Sequence, residues 1–269
     1  MIRAIAACLL VALAPPRAAQ PIPRSPGRLA EALAQTTLSL RDEVDRWRTA
    51  GGRGRAPAAV ELTALYQQRI YRLLARDERL AAAVLPRLPR DLRSEARADV
   101  AAGRDLLRLA PPPTTRHYRV GPPLPAATLR RFYREAERRF GVRWDVLAAV
   151  NFVESRFGRV RSSSVAGAPG PMQFLPATWR RYGLGGDVND PRDAILGAAN
   201  YLRANGAPRD YRRALYAYNH SRLYVDAILR YAGRIRSDHR AYFEYYAWQV
   251  FVRTPTGDRR LTGPGLARG

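Results

Sequence analysis

The sequence has little of what disulfide and metal sites require. Its only cysteine is Cys8, and its three histidines, His117, His220 and His239, lie far apart. A disulfide framework and a cysteine-based zinc site are therefore excluded. One group of side chains resembles a calcium loop, but it lacks the twelve-residue spacing and the terminal glutamate; it comprises Asp187, Asn189, Asp190 and Asp193. We expect neither a metal nor another cofactor.

Lysine is absent, so all 46 basic side chains are arginines, against 23 acidic ones, for a net charge of +23. Such a balance indicates anionic partners, although GC-rich coding alone also enriches arginine. The arginines are spread over nearly all segments and form no known nucleic-acid reader motif, so we expect no nucleic-acid partner. Anionic lipid and acidic polymers, such as anionic cell-wall polymers, are the partner classes that the charge allows.

Long apolar runs are also missing, apart from eleven residues from Ala4 to Ala14. That run follows Arg3 and is too short to span a bilayer, but it suits the core of a signal peptide. We therefore predict a signal peptide over residues 1–20 and export to the cell wall or a periplasm-like space. An uncleaved anchor is the alternative.

The remaining sequence, with 46% hydrophobic and 26% charged residues, predicts a globular, mainly α fold. Apolar residues recur at helical spacing over 28–110, which predicts a helical packing region. Six prolines within 111–125 predict a stiff connector. A second helical block spans 126–236, where helices end at Gly141 and Gly183 and one begins at Asp190-Pro191. The tail, 237–269, contains a predicted small β-hairpin.

Glu154 is the candidate catalytic residue. On a predicted helix over 144–157 it shares an apolar stripe with Leu147, Val150 and Phe157, near the helix C-terminus. Desolvation and the negative end of the helix dipole both disfavour the ionised carboxylate. An acid kept protonated near neutral pH is what a glycosidase needs in order to protonate a leaving oxygen. On spacing alone, a glutamate at the edge of the stripe that reaches solvent fits equally well.

Three ordered segments extend this reading. They are Glu154-Ser155-Arg156-Phe157-Gly158, then Gly167-Ala168-Pro169-Gly170-Pro171-Met172-Gln173-Phe174, and finally Ala217-Tyr218-Asn219 followed by Tyr224-Val225. In order and approximate spacing they resemble the signatures of the soluble-lytic-transglycosylase (SLT), goose-lysozyme-like family of peptidoglycan lytic transglycosylases. The resemblance covers about 125–236. Pro171 replaces the leucine common in this loop, as in actinobacterial-looking and membrane-bound-B-like members.

The resemblance implies a lysozyme-like catalytic domain and a set of site residues. Glu154 would be the catalytic acid, and Tyr218 would reach towards it. Gln173 offers hydrogen-bond donors and acceptors suited to an N-acetyl group or a sugar hydroxyl, and Met172 and Phe174 offer apolar surface for a sugar face. Ser155 and Asn219 complete the predicted substrate-binding set.

The sequence therefore predicts a monomeric lytic transglycosylase that acts on peptidoglycan glycan strands. It would cleave the bond between N-acetylmuramic acid and N-acetylglucosamine without water, leaving 1,6-anhydro ends, with Glu154 as acid and then base. A hydrolytic muramidase is one alternative, for which Asp187, Asp190 and Asp193 are the only second carboxylates near the loop. A catalytically idle glycan-binding protein is the other.

Overall fold

The computed structural model describes residues 14–110 and 112–266. Residues 1–13 of the predicted signal peptide and Pro111 of the predicted connector lie outside them. Within the described part of the chain, no helix is both long enough and apolar enough to cross a membrane.

The fold is mainly α with a small C-terminal hairpin, as the sequence predicted. The N-terminal helices are α1 (Pro26–Thr49), α2 (Ala58–Arg76), α3 (Glu78–Val84) and α4 (Arg90–Leu109), with a 3₁₀ turn at Leu85–Arg87 between the last two. The second block contains α5 (Ala126–Phe140), α6 (Trp144–Ser155), α7 (Pro176–Tyr182), α8 (Pro191–Ala204), α9 (Tyr211–Tyr218), α10 (Arg222–Ser237) and α11 (Arg240–Ala247). Strands β1 (Phe251–Thr254) and β2 (Gly257–Arg260) pair antiparallel.

The apolar stripe of α1 is buried as its spacing predicted, with Leu29, Leu33, Leu40 and Val44 at 1% exposure or less. It packs against α2 and α11, while α4 lies along α10. Burying these leucine faces removes apolar surface from water, which is the main driving force for docking the N-terminal helices. The two helical blocks therefore share one core.

Helix α11 lies where the sequence analysis placed a tail, and it is a central element of this core. Its side chains Tyr242, Phe243, Tyr245 and Tyr246 are all at most 4% exposed. Tyr245 stacks on Phe152 of α6, with ring centroids 5.1 Å apart. The helix therefore fills the space between α6 and the N-terminal helices α1 and α2.

The proline-rich connector is paired with structure on both of its sides. At one end, the Thr114 amide donates to the Arg253 carbonyl of β1 (3.0 Å). At the other, residues 119–121 pair with residues 159–161, through an Arg161-to-Arg119 and a Gly121-to-Arg159 backbone hydrogen bond of 2.8 and 2.9 Å. The connector thus bridges the hairpin and the segment that follows α6.

Candidate active site

Glu154 is the penultimate residue of α6, a helix whose other residues are almost all buried. The helix stops abruptly because Arg156, Phe157 and Gly158 all have positive φ, at 54°, 60° and 80°. Left-handed conformations in two consecutive non-glycine residues are strained, and such strain concentrates at functional sites. The turn leaves the Glu154 side chain half-buried at the wall of a cleft.

Burial raises the pKa of Glu154 to about 7, in the direction that its sequence position indicated. A hydrogen bond opposes this effect: the Tyr224 hydroxyl donates to Glu154 Oε1 at 2.6 Å. Burial and the nearby Glu154 raise the pKa of Tyr224 well above its usual range, so Tyr224 stays a neutral donor. The site therefore holds a carboxyl group that exchanges its proton near neutral pH.

Tyr218, not Tyr224, was expected to reach the acid. The Tyr218 hydroxyl instead donates to the Met172 carbonyl at 2.6 Å. The two tyrosine rings lie parallel with centroids 6.5 Å apart. Tyr218 is the last residue of α9, whereas Tyr224 lies in the first turn of α10, the helix that packs on α6. This packing gives Tyr224 the contact with Glu154.

Ser155 belongs to the cleft lining, and its hydroxyl is engaged in anchoring the loop. It is 1% exposed, its hydroxyl donates to the Pro171 carbonyl at 2.5 Å, and it accepts from the Gly158 amide at 2.8 Å. Asn151, which is fully buried one turn earlier, donates to the same carbonyl at 2.8 Å and accepts from Tyr133. Two α6 side chains thus fix the loop at Pro171, and Asn151 and Tyr133 were not identified from the sequence.

Met172 and Phe174 do not present the predicted apolar surface to the cleft. Met172 is fully buried and Phe174 is 3% exposed. Phe174 packs against Trp179, Tyr201 and Tyr218 instead, with centroid distances of 5.4, 6.2 and 5.5 Å. Met172 and Phe174 therefore pack on the buried side of the loop.

Gln173, Tyr218 and Asn219 do line the cleft together with Glu154. Gln173 has a strained φ of 51°, and its side-chain amide donates to the Gly170 carbonyl at 2.8 Å. Asn219 caps the end of α9 and is exposed. Since the Tyr218 proton points to Met172, its hydroxyl oxygen is left as an acceptor on the cleft side.

The cleft has a volume of about 680 Å³. One wall comes from α6, the loop 162–175 and the end of α9. Further lining comes from α2, α4, the connector and β1, and it includes Arg72, Leu106, Pro112, Thr114, Arg116, Phe251 and Arg253. The N-terminal helices and the hairpin are therefore part of the cleft itself.

Besides Glu154, the one carboxylate among the described residues that line this cleft is Asp99. Asp99 is 2% exposed, accepts from the Tyr245 hydroxyl and lies 3.6 Å from Arg234. The alternative second carboxylates are engaged elsewhere: Asp190 caps α8, and Asp193 accepts from the Asp187 amide at 3.1 Å. None of these three lines the cleft.

In the described ranges, no cluster of three or more His, Cys, Asp or Glu side chains is arranged to hold a metal ion.

Comparison with known proteins now places this block in a family. Residues 131–239, from α5 to the residue before α11, match the family described as "Transglycosylase SLT domain". These residues are an SLT domain. The SLT domain contains Glu154, Tyr218 and Tyr224, whereas α2, α4, the connector and β1, which supply the further lining, lie outside the matched range.

A stretch of 74 residues is 36% identical to the "Membrane-bound lytic murein transglycosylase F" of Thiobacillus denitrificans. It amounts to 28% of this chain and spans only 15% of the length of that relative. No solved structure matches the chain significantly.

Proposed function

We propose that this chain is a peptidoglycan lytic transglycosylase that forms 1,6-anhydro-muramic acid ends. The observation that carries the proposal is the carboxyl of Glu154, with a pKa of about 7, on the cleft wall of an SLT domain, while Asp99, the other carboxylate in the lining, is held by Tyr245 and Arg234. The murein transglycosylase relative supports the same activity, and export by a signal peptide would bring the enzyme to this substrate.

In the proposed first step, protonated Glu154 donates its proton to the bridging oxygen between N-acetylmuramic acid and N-acetylglucosamine. Positive charge develops at C1 of the muramic acid as the bond breaks. Ordinary glycoside hydrolysis uses a second carboxylate at this stage, and Asp99 is held by Tyr245 and Arg234. The oxygen of the substrate's own N-acetyl group then forms a bond to C1, and the N-acetylglucosamine part leaves with the proton that Glu154 donated.

Gln173 and Tyr218 are the proposed holders of that N-acetyl group. The Gln173 amide oxygen and the Tyr218 hydroxyl oxygen can both accept a hydrogen bond from its N–H. The Gln173 amide group donates to the Gly170 carbonyl and leaves its oxygen as an acceptor, and the Tyr218 proton is donated to the Met172 carbonyl. Fixing the N–H orients the acetyl oxygen towards C1 and lowers the entropic cost of attack.

In the proposed second step, ionised Glu154 takes the proton of the C6 hydroxyl. The C6 oxygen attacks C1, the bond from the acetyl oxygen breaks, and the anhydro ring closes. Glu154 is protonated again and water is not consumed. A pKa of about 7 suits both roles, since neither protonation state is strongly disfavoured at neutral pH.

The test is digestion of purified sacculi followed by mass analysis of the muropeptides. We expect anhydro-ended products from the wild type and none from Glu154→Gln, which keeps the size and polarity of the side chain but cannot supply the proton. Glu31→Gln, at an exposed position of α1, is the matched control and should be fully active. Reducing-end products would establish the hydrolytic alternative, and absence of products would establish the glycan-binding one.

A further inference from the structure

The cleft wall outside the SLT domain carries basic side chains that no acid neutralises. Arg116 comes from the connector and Arg253 from β1, and both are half-buried in the cleft. Within the part of the chain that the structure describes, no carboxylate lies within 4.0 Å of either guanidinium. Their neighbour Arg72 differs, because it pairs with Asp258.

Thr114 links the segments that carry Arg116 and Arg253. The Thr114 amide donates to the Arg253 carbonyl at 3.0 Å, and the Arg116 amide donates to the Thr114 hydroxyl at 3.0 Å. The Arg116 guanidinium also donates to the Ser163 carbonyl at 2.8 Å, which ties it to the loop of the SLT domain. The two arginines therefore lie on adjoining segments of the cleft lining, and Arg116 also contacts the loop that belongs to the wall with Glu154.

A third arginine adds to the positive charge on the Glu154 side. Arg156 lies over the Phe152 ring at 4.3 Å, and burial lowers its pKa to about 10. Like the other two, it has no acidic partner in the described ranges. Partly desolvated guanidinium groups without counter-ions favour an anionic ligand, and their planar forks suit a carboxylate.

We propose that Arg116 and Arg253 bind a carboxylate carried on the lactyl ether side chain of muramic acid. The proposal rests on the proposed function, because it takes the occupant of the cleft to be a peptidoglycan strand. Every muramic acid carries such a group in one of two forms. A peptide-free strand has the lactyl carboxylate itself, and a peptide-bearing strand has the carboxylates of the stem. An uncharged glycan of N-acetylglucosamine alone has neither.

The binding experiment uses full-length protein in the Glu154→Gln background, which prevents turnover. Arg116→Gln/Arg253→Gln is compared with Arg209→Gln, an exposed position outside the cleft. Three ligands are titrated: chitohexaose, peptide-free peptidoglycan strands and peptide-bearing strands. Arg253→Gln alone serves as a second variant, since its guanidinium makes no hydrogen bond to the described residues and its loss should not disturb folding.

We expect the double variant to lose at least tenfold in affinity for carboxylate-bearing strands and to keep its affinity for chitohexaose. The loss should shrink at high salt, as for any charge-assisted contact. A loss on peptide-free strands alone identifies the lactyl carboxylate as the ligand, and a loss on peptide-bearing strands alone identifies the stem. A loss on both strand types shows that the two arginines accept either carboxylate. Unchanged affinity for all three ligands, or an equal loss on chitohexaose, would overturn the proposal. These outcomes do not depend on anhydro products, so they are separable from a failure of the proposed function.

Discussion

At Glu154 two neighbouring influences act on the carboxyl in opposite directions. Burial favours the protonated acid, and the Tyr224 hydroxyl, 2.6 Å away, favours the carboxylate. Their balance leaves a pKa of about 7. In the proposed mechanism, an acid without Tyr224 would be a weaker acid and would release its proton less readily before the second step, so Tyr224 would position Glu154 and tune its pKa.

Tyr224→Phe removes this hydrogen bond and keeps the ring. Because the bond lowers the pKa of Glu154, its loss should raise that pKa and move the alkaline limb of the kcat/KM profile to higher pH. The measurement is the pH dependence of strand cleavage. Tyr216→Phe, at an exposed position of α9, should leave the limb unchanged. An alkaline limb that stays in place or moves to lower pH would show that Tyr224 has only a packing role.

Glu154→Gln should also change how stability depends on pH. The folded-state pKa of about 7 lies above the ordinary value of a glutamate. The stability contributed by the protonated form is therefore complete at low pH and lost as the pH rises through about 7. The thermal midpoints of the variant and the wild type are measured at about pH 5 and at about pH 8. The midpoint of the variant minus that of the wild type should be a few degrees larger at about pH 8 than at about pH 5. An equal difference at both pH values would contradict the raised pKa.

The choice of tyrosine could not be made from sequence. Tyr218 and Tyr224 are six residues apart on consecutive helices, and which hydroxyl meets Glu154 depends on how α10 crosses α6. Glu154 itself could be identified from the sequence, because its spacing from Leu147 and Val150 places it on an apolar stripe near the end of a helix. The resemblance implies a substrate-binding role for Ser155, and only the fold shows that its hydroxyl donates to the Pro171 carbonyl.

At the scale of elements, the conformation of the loop 162–175 beside Glu154 requires glycine at position 170. Gly170 has a φ of 77°, and a Cβ there would lie 2.0 Å from the Val188 carbonyl oxygen. Gly167 in the same loop has a φ of 80° but open space around its Cα. Both positions therefore require a positive φ, but only Gly170 lacks space for a Cβ atom.

This pair gives a matched test of loop placement. Gly167→Ala should cost only the backbone strain, about 1–2 kcal/mol, and should stay active. Gly170→Ala should cost more, because Val188 must also move, and this would displace Pro171 and Gln173. Thermal unfolding and strand cleavage are the two readouts. Equal losses at both positions would show that the close approach to Val188 is unimportant.

Capping and turn residues in the sequence indicate the ends of most helices, but two helices, α3 and α11, were not predicted from it. Gly141 has the left-handed conformation expected after α5, and Asp190 accepts from the amides of Arg192 and Asp193 as an N-cap of α8. Helix α11 has no polar face to create a periodic pattern, because its aromatic side chains are buried on all sides. Helix α3, with seven residues, is too short to show one.

At the scale of the whole molecule, buried charges fasten the N-terminal helices to the SLT domain. Arg234 of α10 is 5% exposed and lies 3.0 Å from Glu95 and 3.6 Å from Asp99, both on α4. Arg230, one turn earlier on the same face of α10, pairs with Asp105. Since α4 also lines the cleft, these pairs connect the stability of the fold to the shape of the site.

Arg234→Met should therefore destabilise the entire chain. It leaves Asp99 buried without its cation, for which we expect a loss of about 3–5 kcal/mol in the free energy of unfolding. Arg236→Met, at an exposed position of the same helix, should change stability by less than about 0.5 kcal/mol. Denaturant titration measures the free energy of unfolding of both variants. Comparable stability of the two would show that the buried ion pairs do not hold the N-terminal helices on the SLT domain.

The central claim is that one carboxyl acts as acid and then base, with the C6 hydroxyl in the place of water. Digestion of sacculi in water enriched in oxygen-18 measures this directly, since a hydrolase must place solvent oxygen on C1 of every new end. We predict anhydro-muramic acid ends with no oxygen-18 at C1. Products that carry one heavy oxygen at each new end would contradict the account.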